Sequence, residues 1–176
     1  MIGHGQDVIW LAYSNHMDLE LELAVVVGKG GRDIDVAEAP AHIFGYTIFN
    51  DLTARDAQMA GHLGPAKGKD FDTGDILGPW ILTADEVPHP AALAMSVSVN
   101  GERWGGGTSA GMHHDFAAII AHISASETLH PGEVIRSGTV GTGCGLEIGR
   151  AVRDGDRMAL SIEGIGCLEN RIIRQS

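Results

Sequence analysis

Apolar and acidic residues alternate along Met17-Asp-Leu-Glu-Leu-Glu-Leu23, and the alternation runs into an unbroken apolar stretch, Ala24-Val-Val-Val27, that stops at Gly28. Strand side chains point to opposite faces with period two. The first half therefore predicts a β-strand with Asp18, Glu20 and Glu22 on one face and Leu19, Leu21 and Leu23 on the other. The second half predicts burial on both faces. Ile43 to Phe49, aromatic and β-branched, is a second strand. Leu52 to Met59 has helical composition, and Asn50 or Asp51 at the junction can cap it through a side-chain oxygen. Arg55 then lies a helical turn from Asp51, with Gln58 three residues further on the same side. Pro79 to Thr83 is another strand, and Asn100-Gly101 marks a tight hairpin inside Ser96 to Trp104. A helix is expected from Met112 to Glu127, its apolar face made by Phe116, Ile119, Ile120 and Ile123, with Thr108, Ser109 or Asp115 as cap. Short strands follow near Ile135, within Val152 to Glu163, and from Ile165 to Ile173. The sum is mostly β (α+β), which predicts a mixed β-sheet roll, barrel-like, with a few short helices rather than alternating βαβ units.

The stretches between these elements carry less pattern. Met1 to Asn15 is irregular with a short strand near Val8–Leu11, and His4, Trp10, Tyr13 and His16 read as packing groups. Gly61 to Gly78 is a long Gly-rich loop bearing Lys67 and Lys69; loops of this length in a compact domain are often functional. It is not a phosphate-binding loop, because no Gly-Lys-Ser/Thr opens a helix. Ser137 to Glu147 is a second Gly-rich loop, and His113 and His114 read as surface groups.

With 176 residues and neither repeat nor linker, one domain over residues 1–176 is expected. The net charge of −11 argues against nucleic acid or an anionic membrane as partner. Cys144 and Cys167 lack CxxC spacing, and no secretory signal or membrane-length apolar run is present. Reduced thiols and a soluble, cytoplasmic chain are the expectation.

Two carboxylates two residues apart on one strand face lie roughly 6.5–7 Å apart by strand rise. Their repulsion favours protonation or a cation, and hard divalent ions take oxygen ligands. The acidic face is thus either a solvated edge or half of a Mg²⁺ or Mn²⁺ site.

Several pieces together resemble the fumarylacetoacetate hydrolase family in its C-terminal catalytic domain. They are Asp18-Leu-Glu-Leu-Glu-Leu23, Phe44 to Gln58, Gly68-Lys-Asp-Phe-Asp-Thr73, Val99-Asn-Gly-Glu102, Ser137-Gly-Thr139 and Ile162-Glu-Gly-Ile-Gly166. Each alone is weak; their shared order over about nine-tenths of the chain carries the match. The resemblance implies that Glu20, Glu22 and Asp51 hold a divalent cation, Mg²⁺ first, with Mn²⁺ or Ca²⁺ as alternatives. It implies that Arg55, Gln58, Lys69 and Thr139 bind a small 2-oxo or diketo acid, and that Lys69, Arg55 and Glu147 serve catalysis, Glu147 by positioning or activating water. The reaction implied is hydrolysis of a carbon–carbon bond in a fumarylacetoacetate- or acylpyruvate-like acid during aromatic-compound breakdown, by a homodimer. Decarboxylation or isomerisation of 2-oxo-dioic acids is the alternative. The family also carries a histidine-bearing segment upstream of the acidic strand, which is not placed among the sixteen residues before Met17. A metal-binding homologue lacking that base is therefore a third reading.

Overall fold

The computed structural model describes residues 1–61 and 66–175. In chain order its strands begin with β1 (Ile2–Gly3), β2 (Asp7–Ile9), β3 (Met17–Asp18), β4 (Leu21–Val27) and β5 (Gly31–Arg32). Then come β6 (Ile43–Asp51), β7 (Thr53–Ala54), the short helices α1 (Arg55–Ala60) and α2 (Ala66–Lys69), and β8 (Asp75–Thr83). The second half supplies β9 (Ala94–Val99), β10 (Glu102–Thr108), α3 (Phe116–Ser124), β11 (Thr128–Leu129), β12 (Val134–Arg136), β13 (Arg157–Ile162) and β14 (Gly166–Ile173).

Two five-stranded sheets, ordered β1-β8-β6-β4-β12 and β10-β9-β13-β14-β2, share the core; β11-β5 and β3-β7 are separate ribbons. Pairing is antiparallel except for β1 with β8 and β14 with β2. The mixed, mostly β fold with short helices is the one the sequence predicts. Alternate residues of β4, namely Leu21, Leu23, Val25 and Val27, enter a core shared with Val97 and Val99 of β9 and Leu160 and Ile162 of β13. Burying side chains of this size stabilises by roughly 1.5–3 kcal/mol each. The Asn100-Gly101 hairpin forms as expected, with positive φ at both residues and Val99 opposite Glu102.

Five expectations need correction. Met17 to Gly28 is not one strand: it breaks after Asp18, and Glu20 makes only an isolated bridge to Cys144. Asn50 and Asp51 do not cap a helix, because β6 continues through them and α1 starts at Arg55 behind Ala54, without a side-chain cap. The local signal was overridden by the pairing of Asn50 and Asp51 with β8. The Gly-rich loop is partly ordered into α2 and the start of β8, while its residues 62–65 lie outside the described residues. The last helix is shorter than expected, Phe116–Ser124, and of the candidate caps Asp115 is the one that caps it, accepting from Ala118 N–H. His4 and Tyr13 are exposed rather than packed, Tyr13 donating its hydroxyl hydrogen to the Lys67 carbonyl. His113 and His114 lie on the surface, and both cysteines are free. Among the described residues no helix is long and apolar enough to cross a membrane.

Candidate metal centre

The acidic positions of the alternating stretch are buried: Asp18 is 0% exposed, Glu20 7% and Glu22 2%. The reading of a solvated acidic edge therefore fails. Three elements bring the carboxylates together. Glu22 lies on β4 opposite Phe49 of β6, and Asp51 is the last residue of β6. Glu20 is held at the gap between β3 and β4, its N–H donating to Asn50 Oδ1 and its carbonyl accepting from Asp51 N–H. Freed from strand geometry, its side chain turns towards the others. One oxygen from each of Glu20, Glu22 and Asp51 lies within 4.8 Å of the other two, closer than the spacing of two carboxylates along a regular strand.

Cations surround this group. Lys69, at the end of α2, donates to Glu20 Oε2 (2.9 Å), Asp51 Oδ2 (2.6 Å) and Thr53 Oγ1 (2.9 Å), which uses all three ammonium hydrogens. Arg55 places Nη1 2.6 Å from Glu20 Oε1 and 3.1 Å from Gln58 Oε1. Its Nε and Nη2 both donate to Asp18 Oδ2. Asp18 also accepts from the Gly145 and Leu146 N–H groups, so it ties Arg55 to the turn that bears Glu147. The pairing of β3 with β7, Asp18 opposite Thr53, brings these groups together. Arg136 of β12 lies 2.9 Å from Asp51 Oδ1 and 3.5 Å from Asp75 Oδ1.

Four buried carboxylates, Asp18, Glu20, Glu22 and Asp51, thus face three cations. Two oxygens, Glu22 Oε2 and Asp51 Oδ1, are buried without a hydrogen-bond donor among the described residues. The Arg136 contact to Asp51 is short but not aligned as a hydrogen bond, so it neutralises charge without satisfying that oxygen. Burial, with the charge of Asp51 adding to it, pushes the Glu22 carboxyl up to about 7. Burial likewise raises Asp51. Glu20 feels the same burial, but contacts from Lys69 and Arg55 outweigh it and hold its carboxyl below the ordinary range. Unsatisfied buried acceptors cost on the order of 1–3 kcal/mol each. Three converging carboxylates with two bare oxygens fit a hard divalent cation, which takes oxygen ligands only.

The remaining sequence candidates fall at two distances from the centre. Gln58 on α1 contacts Arg55, and Thr139 donates to Glu22 Oε1 at 3.4 Å, so both border it. Glu147 sits exposed on a short 3₁₀ turn, Leu146–Ile148, whose first residue donates its N–H to Asp18. Sequence reasoning missed Arg136 and the tethering part played by Asp18. The alternating pattern already marked Asp18 as an acid of the same face. Nothing in the sequence marked Arg136, whose partner lies 85 positions away.

A family model described as Fumarylacetoacetate (FAA) hydrolase C-terminal matches residues 1–173. Among solved structures the chain is similar to the fumarylacetoacetate hydrolase of Exiguobacterium antarcticum, with 36% identity and a TM-score of 0.93 over 99% of this chain and 63% of that one. It is similar to 2-hydroxyhepta-2,4-diene-1,7-dioate isomerase of Mycobacterium marinum at 37% identity and TM-score 0.89, covering 99% of this chain and 66% of that one. It is also similar to fumarylpyruvate hydrolase of Pseudomonas aeruginosa, a structure with Mn²⁺ and pyruvate, at 29% identity and TM-score 0.88, covering 99% of this chain and 74% of that one. The chain spans about half the length, 54%, of the first curated relatives it matches.

Proposed function

The chain belongs to the fumarylacetoacetate hydrolase family, and from that premise we propose that it forms the catalytic domain of a divalent-cation-dependent enzyme that cleaves a carbon–carbon bond in a 1,3-diketo or 2-oxo acid. Acids of the fumarylacetoacetate or acylpyruvate type, as met in aromatic-compound breakdown, are the intended substrates. The observation that carries this reading is the pair of bare buried oxygens, Glu22 Oε2 and Asp51 Oδ1, converging with Glu20 beside Lys69 and Arg55.

Glu20, Glu22 and Asp51 would hold Mg²⁺ or Mn²⁺. A bound divalent ion supplies Lewis acidity to carbonyl oxygens of the substrate. The chain's own groups do the rest. Arg55 and Lys69 keep fixed positive charge beside the place where negative charge builds on oxygen, in a buried setting where such charge acts strongly. Lys69 holds a proton within reach of that place, available to the leaving carbon. Gln58 and Thr139 orient the acid, and Glu147 takes the proton of the attacking water. A second copy covering the exposed Phe44, Trp80 and Ile81 would suit a homodimer.

The test is pyruvate or fumarate release from acylpyruvates and fumarylpyruvate, with and without Mg²⁺ or Mn²⁺. Ion-dependent release is expected, and no turnover of any diketo acid by ion-loaded protein would overturn the reading. The similarity to an isomerase of a 1,7-dioate favours a second reading, isomerisation or decarboxylation of 2-oxo-dioic acids. Product analysis on such a dioate separates the two. A metal-binding homologue without turnover would show calorimetric ion binding that Glu20→Gln/Glu22→Gln removes, and no product from either substrate class.

A further inference from the structure

The three cations at the carboxylate cluster are not equivalent. Lys69 spends every ammonium hydrogen on Glu20, Asp51 and Thr53, and its side chain is 13% exposed. Arg55 is held by Asp18, Glu20 and Gln58 and is 6% exposed. Both have their donors engaged at the carboxylate cluster, and the charge they supply lies at the reacting end of the site. Arg136 differs on each count. Its side chain is 39% exposed, it touches Asp51 and Asp75 through Nη1 alone, and its Nε and Nη2 donate to none of the described residues. It stands on β12, the edge strand of its sheet, with its guanidinium 5.1 Å above the Phe49 ring. That cation–π contact steadies the guanidinium of a side chain that stays 39% exposed. Any cation that takes Asp51 Oδ1 also removes Arg136's closest partner.

A planar guanidinium with two free donor positions matches a carboxylate in bidentate fashion. The carboxylate beside the keto group of a 2-oxo acid can share the charge of a resident cation. A second carboxylate at the far end of the molecule needs a counter-charge of its own. We propose that Arg136 is the specificity residue of this site, receiving the distal carboxylate and so favouring 2-oxo-dioic and other dicarboxylic substrates over acids with a neutral tail. This rests on the oxo-acid reading of the site and narrows its substrate class.

The test is calorimetric and needs no turnover. Mn²⁺-loaded protein is titrated with 2-oxoadipate and with 2-oxohexanoate, which differ in carrying a terminal carboxylate or a methyl group. The wild-type chain should bind 2-oxoadipate at least tenfold more tightly. Arg136→Ala should bring the two acids within about twofold by weakening the diacid alone, and Arg136→Lys should restore part of the preference. Mn²⁺ titration and a melting curve of each variant show that fold and cluster persist; should Arg136→Ala not fold, Arg136→Gln takes its place. Equal binding of the two acids by wild type, a preference that survives in Arg136→Ala, or no binding of either acid overturns the inference. A preference that depends on Arg136 without turnover of any diketo acid would uphold the inference and remove the proposed reaction.

Discussion

Glu22 is the residue on which the charge balance of the centre turns. It is the fourth acid against three cations, and its carboxyl lies near 7 instead of the ordinary 4.5 because burial disfavours the charged form. A carboxyl raised in the folded state holds its proton more tightly there than in the unfolded chain. Its contribution to stability is full below about 4.5 and is lost as pH rises through about 7. At about 1.4 kcal/mol per pH unit, the gap amounts to at most on the order of 3 kcal/mol. In EDTA, the melting temperature of the wild type should therefore fall relative to Glu22→Gln between pH 5 and pH 8; parallel curves would contradict this. Asp18 gives a second residue-scale expectation. Asp18→Asn leaves Arg55 buried with half its charge partners and loosens the Gly145–Leu146 turn. Breaking such a buried pair costs roughly 3–5 kcal/mol, measurable as a lower urea midpoint at unchanged slope. The acids were legible in the sequence because strand alternation put them on one face. Their burial was not, since local pattern says which way a side chain points and not what covers it.

At the scale of elements, the centre depends on where α2 sits. Gly68 lies against α1 so closely that a Cβ there would come 2.7 Å from the Gln58 backbone nitrogen and Cβ. Gly68→Ala must push α2 outward, and Lys69 with it, away from Glu20, Asp51 and Thr53. The expected result is about a tenfold or greater loss of the proposed ion-dependent turnover with a change in melting temperature of only a few degrees. Normal activity in Gly68→Ala would show that α2 has slack. The break between β3 and β4 is the other decisive local feature, since it lets Glu20 leave strand geometry and face Glu22 and Asp51. Sequence pattern read this region as one strand, because alternation continues through Glu20 while its hydrogen bonds go to Asn50 and Asp51 rather than into a regular ladder. The same limit explains the misplaced start of α1: Asn50 and Asp51 are good caps locally, but pairing with β8 claims them first.

For the molecule as a whole, the cluster links strands β4, β6 and β12 of one sheet, the β3-β7 ribbon and two short helices, so an ion bound there should stabilise the entire fold. Linkage gives about 2.7 kcal/mol at a hundredfold excess over Kd, enough to raise the melting temperature by several degrees in Mg²⁺ or Mn²⁺. Glu20→Gln/Glu22→Gln should abolish that rise, and a wild-type melt indifferent to both ions would contradict the metal centre. By itself the sequence determined the strands, the hairpin at Asn100-Gly101, the mixed β architecture and the identity of the acids, because these follow from period-two patterning, turn chemistry and residue type within short windows. Only the tertiary structure decided that Asp18 would tie Arg55 to the Glu147 turn, that Lys69 would meet Glu20, Asp51 and Thr53 together, and that Arg136 would pair with Asp51 and Asp75 through Nη1 alone. Those outcomes depend on contacts between residues tens of positions apart, where chain closure and burial, not local preference, set which charge meets which.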